Sequence, residues 1–98
     1  MSDALRIALS GLNDASLRVA NAAANIVNVS STTEDGKKYA GHDVVSTSDI
    51  RGGVASRVMP RAEGSEIDLA AEIVNMKIAS VSYQADAKVI QTSAEMQK

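Results

Sequence analysis

The stretch that decides the fold is EIDLAAEIVNMKIASVSYQADAKVI, residues 66–90. It belongs to a predicted helix over residues 66–96 that carries two apolar stripes at helical spacing. One stripe contains Leu69, Ile73, Met76, Tyr83, Ala87 and Ile90, with Ser80 in register. The other contains Ile67, Ala70, Val74, Ile78, Val81, Ala85 and Val89. The stripe centres lie about 150° apart, so one antiparallel partner covers one stripe and the second predicts a further contact.

Another helix is predicted near the N-terminus, over residues 3–28. Its apolar positions follow heptad spacing and predict pairing with the C-terminal helix. They are Leu5, Ala8, Leu12, Ala15, Val19, Ala22 and Ile26. The polar face carries Ser10, Asp14, Asn21, Asn25 and Asn28. We interpret this face as packed against a partner, with a weakly polar solvent-exposed face as the alternative.

The middle of the chain connects the two helices through loops and short strands. Residues 43–47 and 54–59 have strand-like composition, and Gly52 and Gly53 between them predict a β-hairpin turn. The predicted organisation is an N-terminal helical segment at 1–29, a loop and β-hairpin at 30–64, and a C-terminal helical segment at 65–98. Both ends together form one structural domain.

The composition favours a protein that completes its hydrophobic core by oligomerisation. The 98 residues contain no Phe, Trp or Cys, so disulfides are excluded, and the small Ala side chains bury little area. The net charge is −2 and the longest basic run is Lys37-Lys38, which argues against nucleic-acid binding. We also expect no cleaved signal peptide and no membrane insertion, because the apolar runs are short and interrupted.

Catalytic and metal-binding patterns are weak. The single histidine, His42, stands next to Asp43, and this pair alone provides neither a nucleophile nor a metal ligand set. We therefore expect no catalytic residue, no metal, no cofactor and no small-molecule substrate. A small hydrolase that uses His42 stays open as an alternative.

Four segments resemble the bacterial flagellar basal-body rod and hook axial proteins, and the small proximal rod proteins above all. They are residues 8–12 (ALSGL), 23–29 (AANIVNV), 68–76 (DLAAEIVNM) and 83–90 (YQADAKVI). The chain departs from the family pattern at Ala24 and Asp86, where asparagine is usual, and at Val27, where alanine is usual. The threonine–glycine–tyrosine–lysine segment that usually follows the first helix is not present in order.

The resemblance implies a mainly α fold, with the terminal helices paired as an antiparallel coiled-coil hairpin around a short β-hairpin and loop. It implies a structural subunit of the periplasmic rod of the flagellar basal body. Such a subunit polymerises through its terminal helices into a torque-transmitting tube and is exported by the flagellar type III apparatus. The implied partners are other copies and other flagellar axial proteins.

The residues expected to carry these contacts fall into two sets. Intramolecular helix pairing is predicted for Leu5, Leu12, Val19, Ile26, Leu69, Ile73, Met76, Tyr83 and Ile90. Intersubunit contact is predicted for Asn21, Asn25, Asn28, Val74, Ile78, Val81 and Ala85. A helical adaptor that docks a partner through its second helix is the alternative function.

Overall fold

The computed structural model describes residues 3–96, and the predicted terminal segments extend beyond it by residues 1, 2, 97 and 98. Its elements are α1 (Asp3–Val27), β1 (His42–Ser48), β2 (Val54–Pro60) and α2 (Leu69–Met96). The prediction of two helices that flank an antiparallel β-hairpin is confirmed. The described part of the molecule is elongated, with extents of 57 × 25 × 18 Å.

The second helix begins at Leu69 rather than at residue 66 because Asp68 caps it. The Ala71 backbone N–H donates to Asp68 Oδ1 over 3.2 Å, and the Glu72 N–H donates to the Asp68 carbonyl over 3.0 Å. This is the geometry of an N-cap residue, whose side chain satisfies an amide that has no carbonyl partner within the helix.

The two helices run in opposite directions. Near the start of α1, Gly11 lies against Asp86 in the second half of α2. Near the end of α1, Asn25 is hydrogen-bonded to Glu72 in the first turn of α2. The buried apolar residues of the described chain are Ala8, Ala15, Ala22 and Ala79. Small side chains let the two backbones approach closely, so alanine forms the centre of the interface.

The β-hairpin is fixed in register by its turn. Ser46 pairs with Ser56, and Ser48 pairs with Val54. Gly52 and Gly53 have φ values of +90° and +87°, a backbone conformation that favours glycine. A Cβ on Gly52 would also lie 2.8 Å from Ile7 Cδ1 on α1. The glycines therefore form the turn and let it approach the first helix.

The hairpin covers the polar face of α1. Arg6 Nη1 donates to the Gly52 carbonyl over 3.3 Å, and Ser10 Oγ accepts the Val54 N–H over 3.1 Å. Further along α1, Asn21 Nδ2 donates to the His42 carbonyl over 2.8 Å. The polar face is thus packed, and the segment packed on it comes from the same chain.

Candidate assembly surface

A polar cluster with a buried centre, here called the clasp, joins α1, the hairpin and α2. It consists of Asn25, His42, Asp43, Arg61 and Glu72. The Asn25 side chain is fully buried; its Nδ2 donates to the His42 carbonyl over 3.0 Å and to Glu72 Oε1 over 3.2 Å. Its Oδ1 accepts the His42 N–H over 3.1 Å. One amide side chain therefore satisfies backbone groups of β1 and a carboxylate of α2.

Arg61 provides the charge of the clasp. Its Nη2 donates to Glu72 Oε1 over 2.6 Å, and its Nε donates to Asp43 Oδ1 over 2.9 Å. Burial by itself would lower the pKa of Arg61, but the hydrogen bonds and charges of Glu72 and Asp43 outweigh it and raise the pKa. The guanidinium stays charged and neutralises the carboxylate of Glu72, a residue that is only 3 % exposed.

A second polar contact point lies at Asp14, midway along α1. Its Oδ1 accepts the hydroxyls of Ser46 and Ser56, and its Oδ2 accepts Arg18 Nε over 3.0 Å. Because Ser46 and Ser56 are cross-strand partners, both hydroxyls reach the carboxylate from the same face of the hairpin. Partial burial would raise the pKa of Asp14, but these hydrogen bonds and the Arg18 charge hold it below its ordinary value.

The predicted pairing residues lie around this interface rather than at its centre. Leu69, Ile73 and Tyr83 are exposed, by 44 %, 50 % and 41 %. The half-buried members are Leu5, Leu12, Val19, Ile26, Met76 and Ile90. On α2 the most buried positions are Glu72 and Ala79, so the pairing face is shifted around the helix from the predicted stripe.

Sequence reasoning missed Arg61 and Glu72 as functional residues. One signal was present for Glu72: positions 72, 76, 79, 83, 86 and 90 keep alternating spacings of four and three, which is a heptad stripe. That stripe mixes acidic, polar and apolar residues, so hydropathy alone did not reveal it. Nothing in the local sequence pairs Arg61 with a helix residue eleven positions later.

The prediction of intersubunit contact is corrected for Asn25, because its side chain is fully buried against its own chain. Asn21 binds the His42 carbonyl and is half-buried. Asn28 donates to the Ala24 carbonyl over 2.9 Å and accepts Ser31 Oγ over 3.0 Å. All three asparagines thus make hydrogen bonds within the chain.

The other predicted contact residues of α2 are Val74, Ile78, Val81 and Ala85. Together with Val89, they form an exposed apolar row, here called the outer stripe. Val74, Ile78 and Val81 are 55 %, 59 % and 56 % exposed, and Val89 is 47 % exposed. Neighbouring aliphatic side chains exposed along four turns of one helix are typical of an interaction surface.

The surroundings of His42 are those of a structural residue. Its Nδ1 lies 3.1 Å from Tyr39 Oη, and its backbone groups are held by Asn21 and Asn25. Within residues 3–96, no group of three or more His, Cys, Asp or Glu side chains could hold a metal ion. Neither described helix combines the length and apolar character needed to cross a membrane.

Comparison with known proteins identifies the segment that contains α2. The family model described as flagellar basal body rod FlgEFG protein C-terminal matches residues 61–98. A comparison with curated proteins gave no significant match. The matched segment begins at Arg61 of the clasp and includes Glu72 and the whole outer stripe. The C-terminal segment of the chain, with α2 and the outer stripe, is therefore similar to the C-terminal domain of the flagellar basal body rod family.

Proposed function

We propose that this protein is a structural subunit of the flagellar basal-body rod and assembles with other copies and other axial proteins. The observation that carries the proposal is the outer stripe, because it lies within the segment that matches the rod family. A monomer that leaves four large aliphatic side chains about half exposed has an apolar surface available for a neighbour.

The energy of that surface supports an assembly role. Full burial of a Val or Ile side chain contributes about 1.5–3 kcal/mol, so covering a half-exposed one contributes about 1 kcal/mol. A row of four such residues therefore provides several kcal/mol for each contact. Contacts of this size are weak singly and strong when many copies are joined, which suits a rigid tube.

The finer features of the proposal concern the arrangement of the two helices in the rod and the export of the subunit to it. The opposite directions of α1 and α2 and the heptad spacing on both helices support an antiparallel coiled-coil hairpin. In the rod this hairpin lines the inner part of the tube and transmits torque. Delivery is by the flagellar type III apparatus, and the role requires no catalysis.

The test is Val81→Asp at the centre of the outer stripe. Val81 is 56 % exposed, so the free energy of unfolding is expected to change by less than about 0.5 kcal/mol. A buried carboxylate at the subunit contact is expected to remove the protein from purified basal bodies and to abolish swimming. Immunoblots of basal bodies and soft-agar motility measure this, in a strain that lacks the chromosomal copy.

Ala94→Asp is the matched control, because it places the same carboxylate at an exposed position of α2 outside the outer stripe and away from Lys77 and Lys88. This variant is expected to swim normally. Absence of the wild-type protein from basal bodies would contradict the rod role.

An adaptor function uses the same surface and stays the alternative. If the protein is an adaptor, the Val81→Asp variant of the tagged protein should no longer pull down its binding partner. Purified basal bodies should then not contain the protein at all.

A further inference from the structure

A groove runs between α2 and the hairpin, with α1 as its floor. Its volume is about 590 Å³. Gly11, Ala15 and Ala22 of α1 line the floor, Val44 and Val54 line the hairpin side, and Ile78, Ala79 and Ser82 line the α2 side. Because Ile78 also belongs to the outer stripe, the groove is continuous with the proposed assembly surface.

The groove carries a negative charge without a partner. Its acidic residues are Asp14, Asp43, Glu72 and Asp86, and its basic residues are Arg18 and Arg61. Arg18 pairs with Asp14, and Arg61 pairs with both Asp43 and Glu72.

Asp86 makes no hydrogen bond or ion pair with any residue in the range 3–96. Its carboxylate lies over the α1 backbone, so that a Cβ built on Gly11 would be 2.8 Å from Asp86 Oδ2. Asp86 is half-buried, and no hydrogen bond within this range occupies its carboxylate, which is therefore available to a cation.

The opposite side of α2 carries the matching charge. Lys77 and Lys88 are exposed and form no ion pair within the described part of the chain. Eleven residues separate them, so the two side chains lie about 16 Å apart along the helix axis. Viewed down that axis, their directions differ by only about 20°, so both lie on the same side of α2. Lys88 follows Asp86 by two positions, which places the two side chains about 160° apart around the helix. One helix thus presents an acidic groove on one side and two free ammonium groups on the other.

We infer that a second copy of this chain docks its Lys77 and Lys88 face in the groove, with Lys88 pairing with Asp86. The inference rests on the proposed function and names the contact that copies use. Because the two surfaces lie on opposite sides of one helix, the contact is heterologous and each bound copy offers a free groove to the next. Such a contact grows an open array, as a rod requires, instead of closing at a dimer.

Cysteine cross-linking tests this contact, since the chain has no native cysteine. Purified Asp86→Cys and Lys88→Cys proteins, mixed with a short bis-maleimide that spans the reach of the lysine side chain, are expected to give a cross-linked dimer on denaturing gels. The double variant is expected to give a ladder of oligomers. The control mixture pairs Lys88→Cys with Glu34→Cys, which sits in an exposed loop and should cross-link only at the background level. Equal cross-linking in the two mixtures would overturn the inference.

Charge changes provide a second measurement that does not depend on cysteine. Asp86→Asn keeps the side-chain shape and is expected to weaken self-association about fivefold in sedimentation velocity, the upper range for a partly exposed ion pair. Lys88→Glu should weaken it similarly, and Lys88→Glu with Asp86→Lys should restore it. Lys38→Glu, at an exposed loop position, is the control and should have no effect. Self-association unchanged in Asp86→Asn and Lys88→Glu would also overturn the inference.

The two proposals fail separately. If the protein forms the ladder but is absent from basal bodies, the rod role fails and the self-contact stands. If the protein is present in basal bodies but gives no ladder, the rod role stands and this contact is wrong.

Discussion

The two helices of this protein differ in the kind of residue that they bury and in the kind that they expose. Helix α1 is rich in alanine and asparagine, and it contributes Ala8, Ala15, Ala22 and Asn25 to the buried residues. Helix α2 carries the larger aliphatic side chains and contributes only Glu72 and Ala79. Size and apolar character therefore do not identify the interior here. The small residues are inside because they permit close approach of backbones, and the larger apolar side chains are half-buried or exposed.

The energetic consequence is an interior that depends on polar contacts. Buried alanine recovers little free energy per residue, since the hydrophobic contribution scales with the area removed from water. Hydrogen bonds of the clasp and of Asp14 fix how the hairpin sits on α1, because an unpaired buried polar group is costly. The outer stripe of α2 adds nothing to this interior and is available to a neighbour.

The largest expected effect comes from breaking the ion pair of the clasp, which belongs to the interior in this comparison. Arg61→Met leaves the carboxylate of Glu72 buried without its cation, which is expected to destabilise the fold by about 3 kcal/mol. Urea unfolding followed by circular dichroism measures the loss.

Two further variants sharpen the result. Arg61→Met combined with Glu72→Met removes both charges and should recover much of the lost stability. Arg57→Met changes an exposed arginine of β2 and should alter the free energy of unfolding by less than about 0.5 kcal/mol. Equal destabilisation by Arg57→Met and Arg61→Met would show that the clasp has no special role.

A second prediction compares small residues inside and outside. Ala15 is 2 % exposed, so Ala15→Leu forces three extra carbons between the helices and is expected to cost about 2 kcal/mol. Ala85→Leu makes the same change on the exposed side of α2, where nothing described covers it, and should be nearly neutral. Thermal unfolding of both variants measures the difference. A larger loss of stability in Ala85→Leu than in Ala15→Leu would contradict the assignment of Ala15 to the interior and Ala85 to the surface.

The smallest expected effect concerns the hairpin contact at Asp14. Its pKa is lower in the folded protein than in the unfolded chain, where an Asp titrates near about 3.9. Its stabilising contribution is therefore fully present above the unfolded pKa and is lost as the pH falls through the folded pKa. Asp14→Asn should cost about 1 kcal/mol at pH 7 and almost nothing under strongly acidic conditions.

Hydrogen exchange of the β1 and β2 amides at a series of pH values measures this effect. Asp35→Asn is the control, because the pKa of Asp35 is also lowered but its Thr33 and Lys37 partners lie in an exposed loop outside the hairpin. Acid sensitivity of the hairpin that persists in Asp14→Asn would assign it to another group.

Much of the fold was predictable because its signals are local. Heptad spacing predicted both helices, and Gly52-Gly53 between two strand-like runs predicted the hairpin. The start of α2 was placed at residue 66 because the apolar spacing begins near there, whereas the structure begins the helix at Leu69, after Asp68 binds the Ala71 amide. The occupant of the α1 polar face was not predictable, because the contacts of Ser10 and Asn21 span many residues and depend on where the hairpin folds back.

By itself, the sequence determined that two amphipathic helices flank a β-hairpin in the chain. It also determined that one helix carries more apolar surface than one partner can cover, and that both ends resemble rod proteins. These follow from periodicity and motif order, which are properties of the chain alone. Only the tertiary structure decided that alanines form the interior, that Asn25 binds groups of its own chain, and that Asp86 lines the groove without an ion pair in residues 3–96. Those features depend on the rotation of each helix about its axis, which is set by close packing and by long-range hydrogen bonds.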